Sequence, residues 1–367
     1  MKVVIFTEDK VGEGHYQAAK AISHALGELS SGQVETNIVC GLRCIHPAVE
    51  WIIVKTYFAM IHYIPSLWDF MYTHLRRPSF FQRVVFSWKL KRWLEREQPD
   101  MILCTHPTCI AALARLKSTS PFSFKLGMVL TDFCFHPFGV SPYVDYYFVP
   151  HHSIKERLVQ EFDIHPHKIF DFGIPVHPAY EEQVKGARPK AAGGALSPDK
   201  PIHLLILGGA MGIGPIADIM EQFRDRISQF KLTIICGKNR SLYNKLSRCA
   251  APHIEVLGYV TNMAEWIQKA DVVISKPGGL TVAETLVCRT PLLMISPIPG
   301  QEHGNRLYLE QYGLSRCIEN IEDLPRTVLE WLEDEQARLE WEERVREHRK
   351  EQAAYHIARQ VLSYIFP

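Results

Sequence analysis

The stretch SKPGGLTVAETL, residues 275–286, follows a short apolar run and then begins a helical pattern. Its two adjacent glycines let the backbone come close to a ligand, and the helix start that follows offers unpaired amides to an anion. Glu284 lies about one turn into that helix, where a carboxylate can accept hydrogen bonds from sugar hydroxyls. The alternative is an ordinary acid that favours the helix dipole. The stretch therefore predicts a site for an anion and a sugar hydroxyl.

Short apolar runs alternate with helical sequence along the whole chain, beginning with KVVIFT at residues 2–7. Such alternation predicts an α/β fold with mainly parallel sheets covered by helices. We expect two Rossmann-like domains that face each other across a cleft, with functional residues in the loops after the strands. The predicted boundaries are an N-terminal domain at 1–180, a linker at 181–200, a C-terminal domain at 201–345, and a helix at 346–367 that returns to the first domain.

The composition is that of a globular protein, with 47% hydrophobic and 22% charged residues among 367. A net charge of +1 gives no overall field that would attract nucleic acid, so we expect no nucleic-acid partner. The nine cysteines are scattered and form no CxxC pair, which predicts reduced thiols. The start MKVVIFTEDK does not have the pattern of a secretory signal. The expected compartment is the cytoplasm.

Two further loops in the second half resemble the opening stretch. LLILGGAMGIGPI, residues 204–216, places four glycines between a strand and a helix. PIPGQEHGN, residues 297–305, begins a helix with polar side chains after another strand. One glycine turn alone is a weak signal because many serve only the turn. Three polar strand-to-helix loops in one sheet favour a ligand site.

Two polar residues in the first half follow predicted strands. In VGEGHYQAA, His15 stands at a helix start, where we expect a pKa near neutrality or lower. In LTDFCFHPFGV, Asp132 follows a buried strand and is the best-placed candidate for a general base. The alternatives are a histidine with a purely local hydrogen bond and an aspartate that caps a turn. A cluster of histidines between residues 151 and 177 lacks ligand spacing, so we predict no metal site.

Residues 51–93 have an unusual composition, with twelve aromatic residues, seven Lys or Arg, and a single acid, Asp69. No apolar run approaches the ~20 residues of a membrane-spanning helix. Aromatic residues among cations indicate a segment that lies in the interface of an anionic bilayer. The alternative is a pair of amphipathic helices whose aromatics belong to the core. The residues expected to contact the membrane are Trp68, Arg76, Arg77, Trp88, Lys91 and Arg92.

Five motifs together resemble a known family: GEGHYQAAKAI, TDFCFHPF, LGGAMGIG, SKPGGLTVAETL and PIPGQEHGN. They are similar to those of the monogalactosyldiacylglycerol synthases and processive diacylglycerol glucosyltransferases, glycosyltransferase family 28. These enzymes have GT-B architecture and are related to the enzyme that adds N-acetylglucosamine to lipid I. The resemblance spans residues 2 to about 315.

The resemblance implies an inverting hexosyltransferase that uses UDP-glucose or UDP-galactose, with diacylglycerol as acceptor. Glu284 would bind the ribose. The amides of the two glycine loops would bind the diphosphate, and residues near Tyr259 would bind the uracil. The implied donor-binding residues are Gly208, Gly209, Ala210, Met211, Gly258, Tyr259, Val260, Ser275, Lys276, Gly278, Gly279, Leu280, Thr281, Glu284, Gln301, Glu302 and Asn305. Asp132 and His15 would be catalytic, and Gly14 and His136 would contact the acceptor. No metal or other cofactor is expected, and the enzyme would lie on the inner face of the cell membrane.

Other functions fit the same scaffold. The chain could use UDP-N-acetylglucosamine as a transferase or as a 2-epimerase, or it could be a non-catalytic subunit that binds a nucleotide sugar. The aromatic and basic segment favours a transferase with a membrane acceptor over an epimerase with soluble substrates. Asp132 and His15 favour catalysis over a silent subunit.

Overall fold

The structure is a computed structural model that describes residues 1–10, 12–74, 80–182, 201–226, 228–249 and 251–365. The chain divides into two compact units. The first comprises Met1–Pro178, Pro299–Gln301 and Lys350–Pro367, and the second comprises Ala179–Ile298 and Glu302–Arg349. Most of the predicted linker lies outside the described residues.

The first unit is built on a six-stranded sheet. Its strands are β1 Lys2–Thr7, β2 Glu35–Cys40, β3 Met101–Cys104, β4 Lys125–Val129, β5 Tyr146–Phe148 and β6 Ile169–Phe170. Its first seven helices are α1 Glu13–Leu29, α2 Gly41–Ile45, α3 Pro47–Tyr63, α4 Pro65–His74, α5 Phe80–Glu97, α6 Ile110–Thr119 and α7 His152–Phe162. The strands pair in parallel in the order β2-β1-β3-β4-β5-β6. Helices cover both faces of such a sheet, so its central strands are continuous apolar runs.

The second unit repeats this plan. Its strands are β7 Ile202–Leu207, β8 Phe230–Ile235, β9 Ile254–Leu257, β10 Val272–Ser275, β11 Leu292–Ile295 and β12 Arg316–Ile318. Its helices are α8 Ala179–Glu182, α9 Ile216–Phe223, α10 Arg240–Ser247, α11 Met263–Lys269, α12 Gly279–Val287, α13 Gln301–Gln311, α14 Leu324–Glu333 and α15 Glu335–His348. The strand order is β12-β11-β10-β7-β8-β9, again parallel. The predicted α/β class with two parallel sheets is confirmed.

The strand order of each sheet reverses once. In the second unit the chain runs from β7 to β8 and β9 on one side, and then returns to β10 on the other side of β7. The register pairs Leu207 with Ser275, the last residues of the two strands. In the first unit, β1 and β3 are neighbours in the same way. Loops that leave adjacent parallel strands at such a reversal form the usual ligand site of open α/β sheets.

The last helix, α16 Ala353–Ile365, packs against the first unit. Its buried residues Ala354, Ile357 and Val361 share one core with Ile22 of α1. Near its end, the ring of Tyr364 stacks on that of Tyr146 at 3.9 Å between centroids. The predicted return of the C-terminal helix to the first domain is therefore confirmed.

Two details differ from the prediction. The sequence from about residue 322 to 364 is rich in Glu and Arg, with apolar residues at helical spacing, and predicts a pair of helices. It forms three, because α14 and α15 are separated at Asp334. The Asp334 side chain caps α15 by accepting a hydrogen bond from the amide of Ala337 at 2.9 Å. The strand β12 was not predicted, because three residues with an exposed arginine give too short a pattern.

Residues 51–93 fold into α3, α4 and α5, apart from residues 75–79, which lie outside the described residues. Among the helices that the structure describes, none combines the length and apolar character needed to cross a bilayer. None of the nine cysteines, all within the described residues, is joined in a disulfide.

Candidate functional site

The loop after β7, residues 208–215, is packed too tightly for side chains at two of its glycines. A methyl group on Gly208 would lie 2.4 Å from Cδ1 of Ile216. One on Gly212, whose φ is +57°, would lie 2.4 Å from the carbonyl oxygen of Cys236. At these two positions only glycine fits, and the backbone turns closely at the end of the strand, as in a phosphate-binding loop.

The loop after β10 leads directly into α12. Gly278 is the N-cap residue, and among the described residues no side chain caps the helix. The amides of the first turn, at Gly279, Leu280 and Thr281, therefore have no side-chain acceptor there and lie at the positive end of the helix dipole. Ser275, at the end of β10, is buried. The unit thus has a second strand-to-helix loop whose backbone amides can approach an anion.

Side chains from the start of α13 hold the β10 loop in place. The Lys276 ammonium lies 2.8 Å from one Glu302 carboxylate oxygen, and the amide of Ile298 donates to the other at 2.9 Å. Asn305 donates from its side-chain amide to the carbonyl of Pro277 at 2.9 Å. Both members of the ion pair are nearly buried, at 13% and 10% side-chain exposure. Residues of the SKPGGLTVAETL and PIPGQEHGN motifs are thus in direct contact.

Glu284 is buried on α12. Burial raises the pKa of its carboxyl to about 7, and a hydrogen bond from the Tyr180 hydroxyl works in the opposite direction. A buried carboxylate with few protein donors is a strong acceptor for ligand hydroxyls, because water competes poorly at such a position.

The predicted uracil-binding residues follow β9. Tyr259 is 47% exposed, and the Lys238 ammonium lies over its ring at 5.4 Å from the centroid. A methyl group on Gly258 would meet open space. Val260 is half-buried, and Met211 of the glycine loop is exposed. The end of β9 therefore presents an open aromatic surface.

In the first unit, His15 lies in the first turn of α1 and is fixed by residues at the ends of β3 and β4. Its Nδ1 lies 3.1 Å from the carbonyl oxygen of Thr105 and 2.5 Å from the Thr131 hydroxyl. Because a carbonyl only accepts, Nδ1 carries a proton, and in the neutral ring Nε2 has the free electron pair. The ring packs on Gly12, where a methyl group would lie 2.6 Å from Cδ2.

The environment of His15 keeps it neutral. Burial lowers its pKa, and the nearby charge of Asp132 opposes that effect only in part. The lowered pKa of His15 agrees with the expectation of a value near neutrality or below, and burial is its main cause. Its ring meets that of His106 edge-to-face at 4.7 Å. Asp132 lies next to Thr131 in the loop after β4 and is half-buried, so the two predicted catalytic residues are neighbours.

An aromatic group in α4 surrounds residues 299–301 within the first unit. Trp68 donates from Nε1 to the carbonyl of Pro299 at 3.1 Å. A methyl group on Gly300, whose φ is +92°, would lie 3.1 Å from the Tyr72 ring. Among the described residues, the buried Oε1 of Gln301 has no hydrogen-bond partner. The side chain of Gln301 thus has an acceptor to offer a ligand.

The remaining predicted acceptor residues also belong to this unit. His136 donates from Nε2 to the carbonyl of Tyr72 at 2.6 Å and accepts from the amide of Phe138 at Nδ1. Gly14 precedes His15 in the first turn of α1. His136 therefore connects the loop after β4 to α4.

The segment 51–93 has a buried face and an exposed face. Phe86 and Leu90 are core residues, whereas Trp88 is 54% exposed, with the Arg92 guanidinium over its ring at 4.7 Å. Lys91 is exposed as well, whereas Arg76 and Arg77 lie outside the described residues. Other exposed apolar side chains of α3 and α4, with the loop residue between them, are Trp51, Ile52, Tyr63, Ile64, Leu67 and Phe70. The buried face fits the interpretation as amphipathic helices with core aromatics, and the exposed face fits the interpretation as a membrane-interface segment.

Three contact residues were missed from the sequence. Thr105 and Thr131 end apolar runs, and the rule that loops after strands carry function would have found them. Tyr180 stands at the border of the predicted linker, and no pattern around it points to Glu284. Only the fold brings the two residues together.

Comparisons with known proteins give a family match for each half of the chain. Residues 15–176 match the monogalactosyldiacylglycerol (MGDG) synthase family, and residues 203–361 match the glycosyltransferase family 28 C-terminal domain. A processive diacylglycerol beta-glucosyltransferase of Bacillus cytotoxicus is 29% identical, over 98% of this chain and 93% of that protein. One from Bacillus mycoides is 28% identical, over 99% and 93%.

Solved structures share the architecture at low identity. MurG of Acinetobacter baumannii superposes with a TM-score of 0.60 at 15% identity, covering 99% of both chains. The glycosyltransferase SnogD of Streptomyces nogalater gives 0.58 at 14% identity, also over 99% of both. A UDP-GlcNAc 2-epimerase of Neisseria meningitidis gives 0.59 at 14%, so the fold alone does not separate transfer from epimerisation. The fold is GT-B, and the chain belongs to the glycolipid glycosyltransferases of the monogalactosyldiacylglycerol synthase and processive diacylglycerol glucosyltransferase family.

Proposed function

We propose that the protein transfers a hexose from a UDP-sugar to diacylglycerol at the membrane surface, with inversion at the anomeric carbon. The observation that carries this proposal is the paired glycine loops after β7 and β10, with buried Glu284 one turn further on. The relatives are named for β-glucosyl transfer to diacylglycerol, which favours glucose and a β-linked product.

The second unit would bind the donor. Backbone amides of Gly209 to Met211 and of Gly278 to Leu280 would hold the diphosphate, and Glu284 would accept both ribose hydroxyls. Tyr259 would stack with the uracil ring. Gln301, Glu302 and Asn305 would border the sugar, and Lys276, with Ser275 and Thr281 nearby in the chain, would place a cation near the diphosphate.

The transfer is a single displacement. Asp132 would take the proton of the acceptor hydroxyl as its oxygen bonds to the anomeric carbon, while the bond from that carbon to the β-phosphate oxygen breaks and UDP leaves. Neutral His15 would accept a hydrogen bond at Nε2 from a substrate hydroxyl and so orient it. An α-linked donor then gives a β-linked glycolipid, and no covalent glycosyl-enzyme forms.

Negative charge develops on UDP as it leaves, and its stabilisation is the main electrostatic requirement of this reaction. Helix N-termini and fixed amides can stabilise it, and Lys276 adds a positive charge held by Glu302. We therefore propose that the protein needs neither a bound metal nor another cofactor, and that activity survives a chelator such as EDTA.

The exposed aromatic residues of α3 to α5 would attach the enzyme to a membrane. Trp88 and the cations around it combine an interfacial side chain with charges that attract anionic lipid. The enzyme would then be cytoplasmic and peripheral, on the inner face of the cell membrane, where diacylglycerol is accessible from the surface.

One experiment separates this function from the alternatives. The protein is incubated with vesicles that contain diacylglycerol and with each UDP-sugar in turn, and the lipids are analysed by mass spectrometry. A mass increase of one or more hexose units supports the proposal. Conversion of UDP-N-acetylglucosamine to its 2-epimer without lipid product would instead identify an epimerase, and binding without any turnover would identify a non-catalytic subunit.

A further inference from the structure

Tyr180 is a buried residue of α8 whose backbone is tied to two other helices of the second unit. Its carbonyl accepts a hydrogen bond from the Gln268 side chain of α11 at 3.1 Å. The Cys288 thiol, which follows α12, donates to the same carbonyl at 3.7 Å. Cys288 stands one turn after Glu284. The backbone of Tyr180 is thus fixed against the same helix that carries Glu284.

The side chain of Tyr180 contacts Glu284 directly. Its hydroxyl donates a hydrogen bond to the Glu284 carboxyl, and burial together with that carboxylate raises the pKa of the tyrosine well above its usual value. Tyr180 is therefore a permanent donor in the neutral pH range. Only 8% of the residue is exposed, so water does not easily replace it.

The buried carboxylate needs such a partner. Burial alone favours the protonated form of Glu284. One oxygen of the protonated carboxyl would carry a hydrogen and donate a hydrogen bond, where the carboxylate would accept one. The Tyr180 hydroxyl stabilises the ionised form and also occupies one direction of the carboxylate. It leaves the other acceptor positions for a ligand with two adjacent hydroxyls.

We infer that Tyr180 is a positioning residue for donor binding, which orients the Glu284 carboxylate toward the ribose hydroxyls. This inference rests on the proposed role of Glu284 in the donor site. It predicts a defect that is specific for ribose hydroxyls, because Tyr180 would act through the Glu284 carboxylate.

The test measures the affinity of UDP and of 2′,3′-dideoxy-UDP for three proteins by calorimetry: wild type, Tyr180→Phe and Glu284→Ala. Phenylalanine keeps the ring and removes only the hydroxyl. We expect Tyr180→Phe to weaken UDP binding about tenfold, as for the loss of one hydrogen bond to a charged group, and to leave dideoxy-UDP unchanged. In turnover, the KM for the UDP-sugar should rise while kcat stays near the wild-type value. Tyr143→Phe, at an exposed tyrosine of the first unit, is the matched control.

The outcomes separate the two proposals. If Glu284→Ala leaves UDP affinity unchanged, the donor-site assignment is wrong and the inference falls with it. If Glu284→Ala weakens UDP and Tyr180→Phe does not, the donor site stands and the role of Tyr180 is wrong. If Tyr180→Phe weakens UDP and dideoxy-UDP equally, Tyr180 only supports the fold of the unit, and the inference is again overturned.

Discussion

The ammonium of Lys276 lies 2.8 Å from the carboxylate of Glu302, and Cε of the same lysine would lie 3.9 Å from a methyl group on Gly209. One side chain thus connects the loop after β10 with the loop after β7 and with the start of α13. The glutamate fixes the position of the cation, since its second oxygen is held by the amide of Ile298.

The first prediction follows from this pair. Lys276→Met removes the cation beside the glycine loop and should weaken UDP binding about 10- to 100-fold, the usual range for a hydrogen bond to a charged group. Uridine lacks the diphosphate, so its affinity should stay the same in calorimetry. Lys269→Met, at an exposed lysine paired with Glu265, is the control. Equal losses for UDP and uridine would show that the lysine supports the loops rather than the diphosphate. The change removes the ion-pair partner of the buried Glu302 and can destabilise the fold. The double variant Lys276→Met/Glu302→Gln removes both charges and shows whether a loss of binding comes from misfolding.

The second prediction concerns pH. The pKa of Glu284 is about 7 in the unliganded protein, so the carboxylate that accepts ribose hydroxyls is present above pH 7 and is lost below it. UDP affinity should fall as the pH drops from 8 to 6, by at most about tenfold per unit below the pKa. Tyr180 stays protonated across this range, because its pKa is raised.

The diphosphate of UDP also titrates near pH 6, so dideoxy-UDP serves as the reference ligand. The ratio of the two affinities should depend on pH in the wild type and become flat in Glu284→Gln. A ratio that is flat in the wild type as well would contradict the assignment of Glu284.

The third prediction concerns the base. Asp132→Asn keeps the shape and the hydrogen-bonding capacity of the side chain but cannot take a proton. Turnover should fall about 10²- to 10⁴-fold, while UDP affinity stays unchanged. Because the charge of Asp132 raises the pKa of His15, that pKa should fall further in the variant, which NMR of the imidazole can detect. Turnover of the variant at the wild-type rate would show that Asp132 is not the base, and His15 would be the next candidate. An α-linked product would contradict the inverting mechanism itself.

The fourth prediction concerns the membrane. Reversal of Lys89, Lys91 and Arg92 to Glu should abolish sedimentation with vesicles rich in anionic lipid, since each surface cation contributes about 1 kcal/mol. Salt should release the wild type because it screens these charges. UDP binding should persist in the variant.

The matched control reverses three exposed cations of the second unit, Arg240, Lys245 and Arg248, and should bind vesicles like the wild type. If both variants sediment equally, the enzyme does not attach through α5. Loss of UDP binding in the α5 variant would show that the charge reversals disturb the fold.

Much of this protein is determined by local sequence. Apolar runs with intervening helical periodicity predicted both parallel sheets, since each buried strand must be continuously apolar. The glycine loops and Glu284 could be chosen as candidates from the sequence, because a strand, a loop and a helix start use consecutive residues. The pKa of His15 is lowered, within the expected range of near neutral or below, and burial is its main cause.

The contacts within the site were decided by the tertiary structure. Lys276 and Glu302 belong to different loops, and only the packing of α13 on the β10 loop brings their side chains together. The Thr105 carbonyl that sets the tautomer of His15 is 90 residues away in the chain. Tyr180 reaches Glu284 from the edge of the predicted linker. Sequence patterns indicate which residues follow the end of a strand. Strand order and helix packing decide which of those residues meet, because they depend on burial of the whole apolar surface.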